Sequence, residues 1–332
     1  MKKMTLLNPA KSINRSPLRR DLLIALALVL GSGGWLITPA LATDPDGITT
    51  TILTGPISFD GQRSLEIIAT YDYPGAAGYI NSSGINDQGD IAGYFLDTAG
   101  AFRGFVRFRN GRFSAPIVAP NDTGVTFTSD INNTPTVCGE SYNSVHNVYH
   151  GYFLTNQTFT SFDIEGARST TVTGMNVNGD FVGGFGPDAD TVEAYIDIDG
   201  EITSFSIPGA SWTSGTAISG SGMVVGNYFR ADFVTHGFFR NATGDLNYPV
   251  DFPGSILTGL RGINDRGLVV GSYDDADSVT HGFVLKPPAT FFSFTYPGAT
   301  YTTLGGVNNR GLVCGDYIDV NNLRHGFIGR IR

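Results

Sequence analysis

The chain has 332 residues, 21 Lys and Arg against 30 Asp and Glu, and a formal net charge of −9 at pH 7. A surface of that sign repels nucleic acid and anionic membranes, so no nucleic-acid partner is expected. Glycine, at 44 residues, stands at roughly twice the usual ~7%, and Val, Ile, Phe, Tyr and Thr outweigh the helix formers, which excludes a helical bundle and reads as all-β.

Lys2, Lys3, Lys11, Arg15, Arg19 and Arg20 precede an apolar run from Leu22 to Leu30, and Pro39-Ala40-Leu41-Ala42 ends in a small-x-small pattern. That is the arrangement of a secretory signal removed after Ala42. The apolar core is interrupted at Gly31, Gly33 and Gly34. It falls short of the ~20 residues that span a bilayer, so no stable membrane span is expected after cleavage. Arg19-Arg20 also fits the twin-arginine motif, and both export routes stay open. Export places the mature chain in the periplasm, at the cell surface or in the medium. Residues 1–42 hold six of the basic residues and one acid, so the remainder has 15 basic and 29 acidic residues, a net charge of −14. Residues 43–64 form a lead-in segment.

From residue 65 to 332 one unit recurs. Its clearest copy is Gly262-Ile263-Asn264-Asp265-Arg266-Gly267-Leu268-Val269-Val270-Gly271-Ser272-Tyr273, followed by His281-Gly282-Phe283. Asn, Asp and Gly between two apolar runs predict strand, tight turn, strand. Copies aligned on Ile263 fall at Ile85, Ile131, Met175, Ile218 and Val307, at steps of 43 to 46 residues. A period of ~45 with four strands per unit is the pattern of propeller blades.

Within each unit, strand a ends at the aligned residue and strand b ends in an aromatic, as at Tyr94, Tyr228 and Tyr317. Strand c opens on His-Gly-aromatic at His150, His236, His281 and His325, with Arg103-Gly104-Phe105 and Glu193-Ala194-Tyr195 in the other two units. Strand d runs into a Pro-Gly loop, as at Tyr296-Pro297-Gly298-Ala299. The sixth unit stops after strand c, and a spare strand d stands at Leu65 to Tyr73. The expected fold is therefore a six-bladed β-propeller of four-stranded antiparallel blades, the N-terminal strand closing the last blade and hiding its edge. Thr170, Thr213, Thr258 and Thr302 share one place in strand a among small residues, which puts strand a at the axis and strand d outermost.

The series G-I-N-D-x-G, V-x-G-x-Y, H-G-F and F-D-x-P-G-A resembles the bacterial extracellular HAF repeats over residues 65–332. The resemblance implies an exported, propeller-like protein and brings no general activity with it. Two units lack the histidine, which argues against a function that needs every one.

Candidate chemistry is sparse. The four recurrent histidines lie one per unit and should not converge; each is expected to hydrogen-bond a neighbouring loop. Cys138 and Cys314 occupy equivalent places in non-adjacent units, too far apart for a bridge, and read as free buried residues. Asp275 and Asp277, and Asp188 and Asp190, have the alternate spacing that wraps Ca²⁺, but no loop completes a calcium-binding pattern, and solvated turns carry the same residues. No other cofactor is expected. Trp212, the one tryptophan after Ala42, and Tyr301 at the matching place could stack on a sugar ring or pack at a blade edge. The expected function is a monomeric binding or surface-interaction module for a glycan or protein ligand. The alternative is a glycan-active hydrolase or lyase with acids at the channel mouth, which would need two carboxylates about 5–5.5 or 6.5–9.5 Å apart. A purely structural envelope component is the third reading.

Overall fold

The computed structural model describes residues 64–120, 122–187, 191–286 and 290–332, with the backbone of three short strands at Leu41–Thr43, Thr49–Thr51 and Ile57–Ser58. Apart from those strands, the expected signal and lead-in lie outside the described residues. Among the described residues all regular elements are strands, and no helix is long and apolar enough to cross a membrane.

The fifth repeat shows how the unit folds. Leu257–Ile263, Val269–Asp274, Thr280–Lys286 and Thr290–Phe294 form an antiparallel meander, strands a to d. In the first turn Gly267 takes φ +73°, and Asn264 Oδ1 accepts the N–H groups of Arg266 and Leu268, both at 3.0 Å. The glycine of V-x-G and the aromatic of H-G-F are two halves of one contact. A Cβ on Gly271 would lie 2.7 Å from Phe283 Cζ and closer still to the Gly259 carbonyl oxygen. Only glycine lets the ring lie flat over strand b.

Every strand a carries a β-bulge at one place, so that Ser83, Ser129, Thr173, Thr216, Arg261 and Gly305 are each the extra residue. The six a strands touch one another in sequence and the last returns to the first. A Cβ on Gly262 would meet Gly306 Cα at 2.9 Å, and one on Gly306 would meet Gly84 Cα at 3.1 Å. Small residues are required where the strands converge, and strand a is innermost as expected. Strand d is outermost and largely exposed, as at Thr158–Phe162 and Glu201–Phe205. The matched threonines have a further duty. Thr170, Thr213, Thr258 and Thr302 accept the N–H groups of Ile164, Ile207, Phe252 and Tyr296 at 2.9–3.2 Å, pinning each d–a loop back onto strand a.

The architecture is all-β and propeller-like. Two features depart from a row of separate four-stranded sheets. Single parallel contacts, Phe102 with Val125 and Thr280 with Tyr301, join neighbouring units, so the main strands group into sheets of seven, four, four and nine. Strand d is also irregular in two units. In the first it is reduced to the isolated pairs Gly104 with Ile117 and Arg107 with Phe113, beside Pro116. In the fourth it is only Leu246–Asn247, shortly before Pro249. Proline lacks the N–H a ladder needs.

The spare strand takes the expected place. Ser64–Tyr71 pairs antiparallel with Arg324–Ile331, Leu65 opposite Ile331 and Tyr71 opposite Gly326. The core lies between neighbouring sheets. Before three of the four Pro-Gly loops an aromatic stacks on an aromatic near the end of the next strand b: Tyr73 on Phe95 at 3.8 Å, Phe252 on Tyr273 at 3.6 Å and Tyr296 on Tyr317 at 3.6 Å, while Ile207 precedes the fourth. Cys138 and Cys314 are buried and unbridged.

Candidate functional site

At the end of the axis formed by the a–b turns, the bulged residues and the turns line a cavity of about 90 Å³. That is room for a few waters or a small ion, well below the ~300 Å³ at which sites for drug-sized ligands begin. The turns around its mouth are tied to one another. Asn86 Nδ2 donates to the Asn132 carbonyl at 3.2 Å, Asn176 Nδ2 to that of Ser219 at 3.0 Å, Asn264 Nδ2 to that of Asn308 at 3.0 Å, and Asn308 Nδ2 to that of Asn86 at 2.7 Å. Two carboxylates complete the circuit. Asp130 Oδ2 accepts the Met175 N–H at 3.0 Å, and Asp265 Oδ1 accepts the Gly220 N–H at 2.5 Å.

The acids here are therefore engaged. Asp87 accepts from the Asn309 N–H and from Nδ2 of Asn133, both at 2.9 Å. Burial raises its pKa, and these hydrogen bonds outweigh it and hold the carboxyl below its ordinary value. Asp265 also accepts from Asn309 Nδ2 at 2.7 Å. Asp130 differs: full burial pushes its pKa up to about 7, against the opposing hydrogen bonds from Met175 and Ile131.

The recurrent histidines stay apart. His150 Nδ1 meets Asp163 at 3.0 Å, His236 Nδ1 meets Asp251 at 2.7 Å, and His325 Nδ1 meets Asp72 at 2.8 Å, each acid lying on the following strand d or loop. His281 Nδ1 meets Thr295 Oγ1 at 2.7 Å, and its Nε2 meets Asp275 at 2.9 Å. Each links strand c to its neighbour. At His325 burial opposes the charged ring, but Asp72 and Asp319 prevail and raise its pKa.

The acidic loops have turn geometry. Asp275 Oδ1 accepts the N–H groups of Asp277 and Val279, both at 2.9 Å, while Oδ2 faces His281. Asp188 and Asp190 lie outside the described residues. Among the described residues no group of three or more His, Cys, Asp and Glu side chains is placed to hold a metal ion.

Of the two aromatics singled out for stacking, Tyr301 is 2% exposed. The Arg324 guanidinium lies 4.8 Å from its ring centre and donates to its hydroxyl at 3.1 Å. A sugar stacked there would have to displace that arginine. Trp212 is half-buried at the opposite end of the axis, stacked on Phe229 at 5.2 Å with 4° between the planes. Phe229 in turn meets Phe233 at 5.7 Å.

Phe233 was not legible as a site residue from strand patterns. It sits at φ +59° and is 59% exposed. The matching b–c turns, closed by the same three-residue hydrogen bond, place Gly100, Ser278 and Asn322 there, all at positive φ. Those turns begin with Asp97, Asp275 and Asp319, which cap the loop amides; the fourth begins with Arg230. Aligning the turns, and not only the strands, marks the fourth unit as the one that departs twice.

No protein-family model matches the chain, and no curated protein matches it. Solved structures do. A triple arginine-to-alanine mutant of AofleA from Arthrobotrys oligospora aligns at 12% identity over 80% of this chain and 86% of that one, with a TM-score of 0.51. A protein described as TolB from Agrobacterium tumefaciens aligns at 10% identity over 76% and 90%, with a TM-score of 0.50. TolB from Acinetobacter baumannii aligns at 11% identity over 73% of this chain, which spans 65% of that protein's length, with a TM-score of 0.48. At such identities the likeness is one of fold.

Proposed function

We propose that this chain is an exported six-bladed propeller of the HAF-repeat type that acts as a non-catalytic binding module, and that Trp212, Phe229 and Phe233 form a platform for a glycan ring. The observation that carries this reading is Phe233. A bulky side chain at positive φ is strained, and this one is largely exposed with its ring reaching Phe229 at 5.7 Å, so a local cost is kept at the surface. Aromatic faces suit a sugar ring, whose C–H faces stack on them. The hydrolase or lyase alternative is weakened by the channel mouth, where Asp87 and Asp265 are spent on amides of the neighbouring turns.

The test is a glycan array probed with the full chain, with calcium and with chelator, followed by mass analysis of the retained sugars. Binding without mass loss, weakened at least tenfold by Phe233→Asn and insensitive to chelator, is the expected result. Loss of mass from a bound sugar would replace this reading with the enzymatic one. Binding unaffected by Phe233→Asn would remove the platform. Calcium dependence would direct attention to the Asp275–Asp277 loop.

A further inference from the structure

Arg261 occupies the bulge of its innermost strand, where the other units have Ser83, Ser129, Thr173, Thr216 and Gly305. All six line the axial cavity. The four hydroxyls spend their protons within the protein. Ser83 donates to Asn81 Oδ1 at 2.8 Å, Ser129 to Glu140 Oε2 at 3.0 Å, Thr173 to the Gly215 carbonyl at 2.6 Å and Thr216 to the Leu260 carbonyl at 2.9 Å.

The guanidinium is not used up in this way. Its Nε donates to Ser272 Oγ at 3.3 Å, and among the described residues Nη1 and Nη2 have no protein acceptor. Among the carboxylates Asp274 feels its charge, although burial keeps the Asp274 pKa above its ordinary value, and Asp274 Oδ1 accepts from Thr280 Oγ1 at 2.6 Å. Space is open beside its anchor. A Cβ added to Gly259 finds nothing nearer than 3.9 Å, and that neighbour is Ser272.

We propose that the axial channel is a binding site for a small oxyanion, a carboxylate or a phosphate, held by the free donors of Arg261. A planar fork with both terminal nitrogens unpaired matches two oxygens of such a group. A net charge of −9 repels anions at long range, so the attraction is local and set by geometry. The ligand is a free anion or the acidic group of a larger molecule. This site is separate from the aromatic platform and does not rest on it.

The side-chain Nε–H resonance of Arg261 in the full chain reports directly. Acetate, inorganic phosphate and galacturonate are titrated at constant ionic strength, with chloride as the reference. A saturable shift with at least one of the three, and none with chloride, is expected. Saturation by acetate or phosphate identifies a free anion as sufficient; saturation by galacturonate alone identifies the acid group of a sugar. Arg261→Lys should weaken binding at least tenfold through loss of the fork, and Arg261→Gln should abolish the accompanying rise in melting temperature. Gly259→Leu, which fills the space and leaves the guanidinium in place, should weaken binding too, and it serves if the arginine variants fold poorly. Shifts that grow linearly without saturating, or a melting response equal in Arg261→Gln, would overturn the proposal.

Discussion

Asp130 is the one carboxylate at a position that Gly84, Gly174, Ala217, Gly262 and Gly306 fill in the other units. Its side chain lies against the Cα hydrogens of Gly84 and is fully buried, with a pKa pushed up to about 7 by desolvation. In the unfolded chain an aspartate titrates near ~3.9, so between that value and about 7 the folded state holds the extra proton. Stability from this group is therefore fully present below about pH 4 and is lost as pH rises through about 7. Asp130→Asn should raise stability at pH 8 by up to about 4 kcal/mol, and it should flatten the urea midpoint between pH 4 and 8. A variant that tracks the parent chain across that window would show that the carboxylate is solvated. Gly271 poses the opposite problem. With Phe283 Cζ 2.7 Å from where a Cβ would stand, Gly271→Ala must push the ring or the strand aside. Overpacking of this kind costs about 1–3 kcal/mol, and equilibrium urea unfolding at pH 7 measures it.

The a–b turn is the element on which both the unit and its assembly depend. Its asparagine caps its own turn through Oδ1 and reaches the next turn through Nδ2, as Asn308 does by accepting from Arg310 and Leu312 while donating to the Asn86 carbonyl. Asp could perform the first task and not the second. Asn308→Asp should therefore keep the hairpin and lose the tie, placing a carboxylate against a carbonyl at a cost of about 1–3 kcal/mol; Asn308→Ala should cost as much or more because it loses both. Thermal unfolding of the two variants ranks them. The period, the turns, the inner placement of strand a and the closing strand were legible because each follows from local chemistry repeated at a fixed interval. The link between turns was not read, since its partner lies 44 residues away or, at the closure, 222. The choice of Asn over Asp was the available sign. Phe233, Arg261 and the buried pair Asp316–Arg324 were missed for the opposite reason: each is where one copy departs from the rest, and alignment on shared residues draws the eye away from departures.

The contact between the last repeat and the first joins the two ends of the propeller-like array. Arg324 Nε donates to Asp316 Oδ2 at 2.6 Å, Nη1 donates to Tyr79 Oη at 2.8 Å, and both charged side chains are at most 5% exposed. The outer edge of the same unit is sealed by Ser64–Tyr71. Ser64 and Arg332 sit directly opposite, the Arg332 N–H donating to the Ser64 carbonyl at 3.0 Å. In the fifth unit strands c and d are joined by the short span from Lys286 to Thr290. The same connection could therefore join Arg332 to Ser64, with new termini at Gly75, which is exposed and at φ +84° in the loop after Tyr73. Such a permutant of residues 64–332 keeps every strand pair among them, losing only the strands before Ser64, and makes the sixth meander covalent, so it should fold with a closely similar far-UV spectrum and a stability within about 2 kcal/mol of the parent. Surface loops tolerate new termini of this kind. A chain starting at Gly75 and ending at Arg332 without the added strand should fail, because Leu65, Ile67 and their partners Val284, Phe294 and Phe327 would lose their common core and the edge of Arg324–Ile331 would be bare. If that shorter chain folds and stays monomeric by sedimentation, the spare strand is an accessory, and the sheet it completes must be stable on three strands alone.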